Sequence, residues 1–264
     1  MSRFLTVAAL RTTATILLLA GVAPAAGGAP NPPGPGPGAL AQAPPGEEIV
    51  RRSVAYHDPD GQWFTGSYRL ELAGTRPLAG PTRTTVIIDN VEGRFHMERE
   101  RFGTLVESTV TGEECWTRLD GSSEYSDEQA TRLRLGCEQM RETRNYYTFL
   151  YGLPMKLVHD AGTRIDPAAE MATFDGSEVW SVRVTYDPEV GTDTWYFYFD
   201  PTTWALVGYR FYHDEAANDG EYIVLDREVT AGTLRLPKVR AWFRNNDDEA
   251  IGTDTVISLE RLSR

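Results

Sequence analysis

From Gly66 onward, apolar and polar residues alternate with a period of two, and the runs are separated by turn residues. GSYRLELAG, PTRTTVIIDN, GRFHMERERF, TLVESTVTG and ECWTRLDG each read as one strand. In RFHMERERF, Phe95 and Met97 oppose Arg94, His96 and Glu98, so one face of this sheet is solvated. Ahead of these strands, GEEIVRRSVAYHDPDG sets Ile49, Val50, Val54 and Tyr56 near one stripe of a helix. Asp58-Pro59 ends that helix, because the residue before proline is pushed out of the helical region.

The pattern turns helical in SDEQATRLRLGCEQMRETRNYYTFLYGLP. Ser126 and Gln129 have capping-box spacing, Gly136 interrupts the run, and Gly152 with Pro154 marks the stop. Its second half, with Tyr146, Tyr147, Phe149, Leu150, Tyr151 and Leu153, is apolar on more than one face and needs cover. After a connector, SEVWSVRVTYDPE, an aromatic hairpin, EYIVLDREV, LRLPKVRAWFRN and DTVISLERL predict further strands. A helix, a meander, a helical insertion and a second meander make a mainly β (α+β) chain. Alternating βαβ units are absent, which excludes a parallel doubly wound sheet.

The hairpin TWYFYFDPTTWALVGYRFYHD carries the strongest signal. A four-residue loop at 200–203 would pair Phe199 with Trp204, Phe197 with Leu206 and Trp195 with Gly208. Trp195, Phe197, Phe199, Trp204 and Leu206 would then share one face, and Tyr196, Tyr198, Ala205, Val207 and Tyr209 the other. Neither face is polar. Either the hairpin is the buried centre of a curved sheet, or its apolar face lines an incompletely filled cavity.

The N-terminus changes the setting. A basic start and an apolar run through Leu17-Leu18-Leu19-Ala20 predict a signal peptide over residues 1–26, with cleavage between 25 and 41. Residues 27–46 form a Pro/Gly-rich linker, and a single β domain follows over 47–264. No cysteine stands in the leader, so no lipobox is present. The expected product is periplasmic or secreted, with no stable membrane span after signal removal. In an exported chain Cys115 and Cys137 are best read as a disulfide. The formal net charge is −12 and becomes more negative once Arg3 and Arg11 are cut away. Such a surface repels nucleic acid and anionic membranes.

Enzyme signatures are missing. His57, His159 and His213 each precede an aspartate, but spacing supplies neither a tetrahedral metal set nor a positioned base, and each His-Asp reads as the end of an element entering an exposed acidic loop. Asp58-Pro59-Asp60-Gly61 fails as a calcium loop, since its twelfth position is Arg69. Asn245-Asn246-Asp247-Asp248-Glu249 reads as a surface turn, with weak extracellular calcium binding left open. The expectation is no enzyme, no catalytic residue, no metal and no cofactor.

FYFDPTTWALVGYRFY, read as strand, D-P-x-T, strand, together with the greasy NYYTFLYGLPMKLVHD and the opening SVAYHDPDGQW, resembles an uncharacterised family of secreted bacterial proteins related to the outer-membrane lipoprotein carrier (LolA/LolB-like) superfamily. The resemblance covers about residues 47 to 262. It implies an antiparallel sheet rolled into an open half-barrel, with helices across its concave face and an apolar groove between. On that basis Trp195, Phe197, Phe199 and Leu206 would line the concave wall, and Tyr147, Phe149 and Leu150 the helical lid. The implied function is non-enzymatic binding of an acyl chain or other apolar ligand. The alternative is an envelope interaction or sensor module, engaging another envelope protein, whose apolar interior is only core.

Overall fold

The computed structural model describes residues 43–77 and 79–263. The expected signal peptide and most of the expected linker lie outside them. Helix α1 spans Gly46–His57, so it begins on what the sequence suggested was the last linker residue. Glycine is required there, because a Cβ on Gly46 would collide with the carbonyl oxygen of Asp166.

Twelve strands follow: β1 (Ser67–Arg76), β2 (Ala79–Asp89), β3 (Arg94–Arg101), β4 (Thr104–Thr111), β5 (Glu114–Leu119), then β6 (Thr163–Phe174), β7 (Ser177–Tyr186), β8 (Thr194–Phe199), β9 (Leu206–Tyr212), β10 (Glu221–Ala231), β11 (Leu234–Arg244) and β12 (Ala250–Arg261). They form one antiparallel sheet ordered β5-β4-β3-β2-β1-β12-β11-β10-β9-β8-β7-β6. The two meanders meet where β1 pairs with β12, and β5 and β6 remain as free edges. The sheet is an open half-barrel, as the resemblance implied. Helices α2 (Asp127–Leu133), α3 (Cys137–Gly152) and α4 (Lys156–His159) occupy the crossover between β5 and β6.

Two features of the crossover follow the sequence closely. Ser126 and Gln129 exchange the two hydrogen bonds of a capping box at the start of α2, and Gly136 is the N-cap residue of α3. The Cys115–Cys137 disulfide joins β5 to the first residue of α3, with the Cα atoms 5.7 Å apart.

The main core lies between the helices and the concave face. Tyr68, Leu70, Val86, Ile88 and Phe95 from the first meander meet Val182, Phe197, Phe199, Tyr209 and Ile223 from the second beneath α1 and α3. A small second cluster of Phe174, Val179 and Tyr198 sits on the opposite face. Phe174 lies over Gly208, where any Cβ would strike its ring. This cluster is why the hairpin shows no polar face.

Three expectations need correction. The connector before SEVWS is the twelve-residue edge strand β6, whose ladder with β7 is interrupted between Ile165 and Ala169 around Pro167. Proline and few β-branched residues hide such a strand from the alternation test, and both suit an edge. The hairpin loop runs over 200–205, because Asp200 binds the amides of Thr202 and Thr203 and Trp204 takes a left-handed φ of 69°. Phe199 therefore pairs with Leu206, and after a bulge Phe197 pairs with Tyr209 and Trp195 with Phe211. Tyr209 thus joins the concave face instead of leaving it.

The third correction concerns His57. It stands on the buried stripe of α1 that the sequence assigned to Tyr56, and only 1% of it is exposed. Leu206 donates its amide to Nε2 at 3.0 Å, so Nδ1 carries the proton and donates to the carbonyl of Arg235 at 2.8 Å. Asp58 is buried as well, accepting the amides of Gln62 and Trp63. His57 is thus an internal brace between α1, β9 and β11, and Asp58 braces the loop that follows α1. His213 matches the exposed reading, paired with Asp193 at 2.8 Å.

Burial holds His57 below the ordinary histidine value, against the weaker opposing pull of its bond to Arg235. The unfolded chain therefore takes up a proton that the folded chain refuses. The stability this neutral histidine contributes is complete above about pH 6.5 and is lost as pH falls toward its folded value. Melting curves from about pH 7.5 down to about 5.5 should show a larger loss in the wild type than in His57→Gln, which should itself cost about 1–3 kcal/mol at the upper pH. Equal pH slopes would remove His57 as the cause. Replacing Cys115 and Cys137 by serine should cost roughly 3 kcal/mol in denaturant titrations, from loop entropy restored to the unfolded chain.

Candidate functional site: two cavities flanking a tyrosine-rich helix

The seven residues expected to line a groove occupy three places. Phe197, Phe199 and Leu206 are fully packed in the main core, each at most 3% exposed. They border none of the cavities beside α3. Trp195 and Phe149 meet edge to face, with ring centroids 5.3 Å apart, on one flank of α3. There they line a cavity of about 390 Å³ with Tyr186, Val190 and the ion pair of Lys156 and Asp160. Tyr147 and Leu150 line a separate cavity of about 410 Å³ on the other flank. Both volumes fall within the roughly 300–1,000 Å³ typical of small-ligand sites.

The second cavity combines an apolar wall with buried charge. Leu72, Leu150, Tyr146, Tyr147, Tyr151 and Trp242 supply the wall. Tyr147 stacks on Phe95 at 5.8 Å and on Tyr151 at 5.9 Å, and Tyr146 stacks on Trp242 at 6.2 Å. Burial pushes the Tyr147 and Tyr151 hydroxyls well above the usual phenol value, so both stay protonated and able to donate.

Four arginines reach the same space: Arg76, Arg99, Arg101 and Arg240. Asp254 accepts from Arg76 and from the indole of Trp242, both at 3.0 Å. Arg240 is 2% exposed and has no carboxylate within salt-bridge reach among the described residues. Its guanidinium rests 4.0 Å over the ring of Tyr151 and donates to the carbonyls of Pro237 and Leu150. The last bond ties β11 to the C-terminal turn of α3. The Nε atoms of Arg99 and Arg240 are buried without a partner. Burial, and then the like charge of Arg101, push the Arg99 guanidinium down from its ordinary value.

The apolar half of this cavity was legible in the sequence and the charged half was not. Arg99 has the parity of Phe95 and Met97 and therefore points inward with them. Arg240 and Trp242 have the parity of Leu234 and Leu236 in LRLPKVRAWFR. Carrying the alternation two residues beyond Met97 and four beyond Leu236 would have found each arginine. Nothing local marks Asp254, which is defined by its place opposite Gly74 and Arg240 in neighbouring ladders.

No set of three or more histidine, cysteine or carboxylate side chains is arranged to hold a metal among the described residues. Asn245, expected in a surface turn, is largely buried and donates to the carbonyl of Phe211 at 2.9 Å. No helix among the described residues is long and apolar enough to cross a membrane.

The fold is an open antiparallel half-barrel strapped by a helix, with cavities beside that helix. Residues 41–259 match a family of unknown function, DUF6503, and the chain belongs to that family. A domain assigned to outer membrane lipoprotein sorting from Vibrio parahaemolyticus superposes with a TM-score of 0.50 at 10% identity, covering 83% of this chain and 94% of that one. A LolA superfamily protein from Nitrosomonas europaea gives 0.49 at 10% identity, with coverage of 84% and 95%. A DUF1329 family protein from Desulfovibrio piger gives 0.47 at 13%, with coverage of 84% and 96%. No curated protein matches the sequence.

Asp254→Ala would leave the Arg76 and Trp242 donors without their shared acceptor, beside three further arginines. Since the Arg76–Asp254 ion pair is partly exposed, the expected loss is about 1–3 kcal/mol by denaturant titration, with a smaller loss for Asp254→Asn. An unchanged midpoint for the alanine variant would show that Asp254 is structurally idle.

Proposed function

We propose that this chain is an exported, non-enzymatic binding protein that takes a lipid-like ligand between α3 and the concave face. The cavity of about 410 Å³ walled by Leu72, Tyr147, Leu150, Tyr151 and Trp242 carries this reading. Its aromatic and aliphatic walls suit the apolar part of such a ligand, and the charged and hydroxyl side chains that share the lining suit a polar end. The lipoprotein-sorting assignment of the Vibrio domain supports a cargo-carrying role for this architecture. A periplasmic or extracellular setting fits the signal-like leader, the disulfide and the acidic surface. The signal peptide, the linker and the single binding domain over 47–264 belong to the same proposal.

The wall residues proposed from sequence divide accordingly. Tyr147 and Leu150 are the ligand contacts on this flank of α3, and Trp195 and Phe149 form a subsidiary apolar site on the other. Phe197, Phe199 and Leu206 would act indirectly, by fixing the curvature against which both cavities form. Their complete burial is also the observation that favours the second reading, an envelope interaction or sensor module whose interior is core.

Titration of the protein with a fluorescent fatty-acyl probe, followed by displacement with unlabelled fatty acid, tests the choice. The expected result is saturable one-to-one binding, weakened about tenfold or more by Leu72→Trp, which fills the cavity, while the variant's circular dichroism stays that of the wild type. Absence of saturable binding to the folded wild type would overturn the binding reading and leave the interaction module.

A further inference from the structure

The cavity under α3 contains a charge imbalance that packing does not resolve. The chain as a whole is acidic, with a formal net charge of −12. Yet Arg76, Arg99, Arg101 and Arg240 converge on this space against Asp254 and the exposed Glu100. Asp254 is bonded to Arg76 and Trp242. Arg99 and Arg240 have no carboxylate within salt-bridge reach among the described residues, and each keeps a buried Nε without an acceptor.

A guanidinium taken out of water without an anion is unfavourable, and the cost grows with burial. An apolar ligand alone would worsen it by excluding the remaining water. An oxyanion would relieve it, because the planar guanidinium matches carboxylate and phosphate oxygens in geometry as well as charge. The Tyr147 and Tyr151 hydroxyls, kept protonated by burial, are further donors in the same wall. Leu72, Leu150 and Trp242 continue the lining with apolar surface, so one molecule could satisfy both halves.

We infer that the ligand is an anionic amphiphile, with its carboxylate or phosphate held by Arg99 and Arg240 and its apolar part against Leu72, Leu150 and Trp242. This deepens the proposed function and rests on it for the location of the ligand. Arg76, already engaged by Asp254, borders the anion site. Arg240 has a second task, since its bond to the Leu150 carbonyl holds α3 in place. Arg99 is therefore the cleaner residue to change.

The test compares tetradecanoic acid, tetradecanol, a tetradecanoyl lysophosphatidic acid and inorganic phosphate, by isothermal calorimetry and thermal shift, on wild type, Arg99→Met and Arg99→Lys. The expected result is at least tenfold tighter binding of both anionic amphiphiles than of the alcohol. Arg99→Met should abolish that preference without weakening the alcohol, and Arg99→Lys should restore part of it. The ligand-free Arg99→Met protein should melt no lower than the wild type, since it loses a half-buried charge that no carboxylate pairs. Equal binding of acid and alcohol would overturn the anion site and leave the apolar cavity standing. No binding of any amphiphile would overturn both readings. A thermal shift with inorganic phosphate alone, dependent on Arg99 and matching that of the amphiphiles, would overturn the amphiphile in favour of a free oxyanion.

Discussion

Helix α3 is held across the concave face at both ends, and the arrangement of the interior depends on that constraint. At its start the Cys115–Cys137 disulfide joins it covalently to β5, one free edge of the sheet. At its end Arg240 reaches up from β11 and donates to the carbonyl of Leu150, a group that a helix C-terminus otherwise leaves unsatisfied. A helix fixed in this way cannot settle evenly into a curved sheet. It enters the main core through Leu150 and Tyr151 and leaves unfilled space on either flank.

The two flanks differ because different strands run beneath them. Under the Phe149 side lie β7 and β8, and the cavity there is bordered by Trp195 and Tyr186. Under the Tyr147 side lie β1, β2, β3, β11 and β12, which contribute Arg76, Arg99, Arg240 and Asp254. Placing these charges inside is unfavourable for folding taken alone. Bonds to backbone carbonyls, the face of Tyr151 and one shared carboxylate offset part of that cost. The Nε atoms of Arg99 and Arg240 remain without an acceptor.

Much of the fold was legible from residue pattern. Period-two alternation located every strand except β6, whose Pro167 and alanines belong to an edge. The Ser126–Gln129 capping box, the break at Gly136 and the stop at Gly152 fixed the helical crossover. The hairpin at 194–214 was recognised, but its register was not. That register depends on Trp204 entering the left-handed region and on a bulge beyond Leu206, and no propensity records either choice.

The sequence by itself determined a leader-like segment, an acidic β-rich chain, a pair of cysteines suited to a disulfide, and an aromatic hairpin with no wet side. These follow from local spacing and composition, which fix what each segment must bury. The tertiary structure decided which of those aromatics are core and which border empty space. It also brought together Arg76, Arg99, Arg240 and Asp254, residues drawn from β1, β3, β11 and β12. The reason is the β1–β12 pairing, which joins the ends of the chain and sets two distant meanders side by side. A contact made by closing the chain end to end leaves no trace in the spacing of its residues.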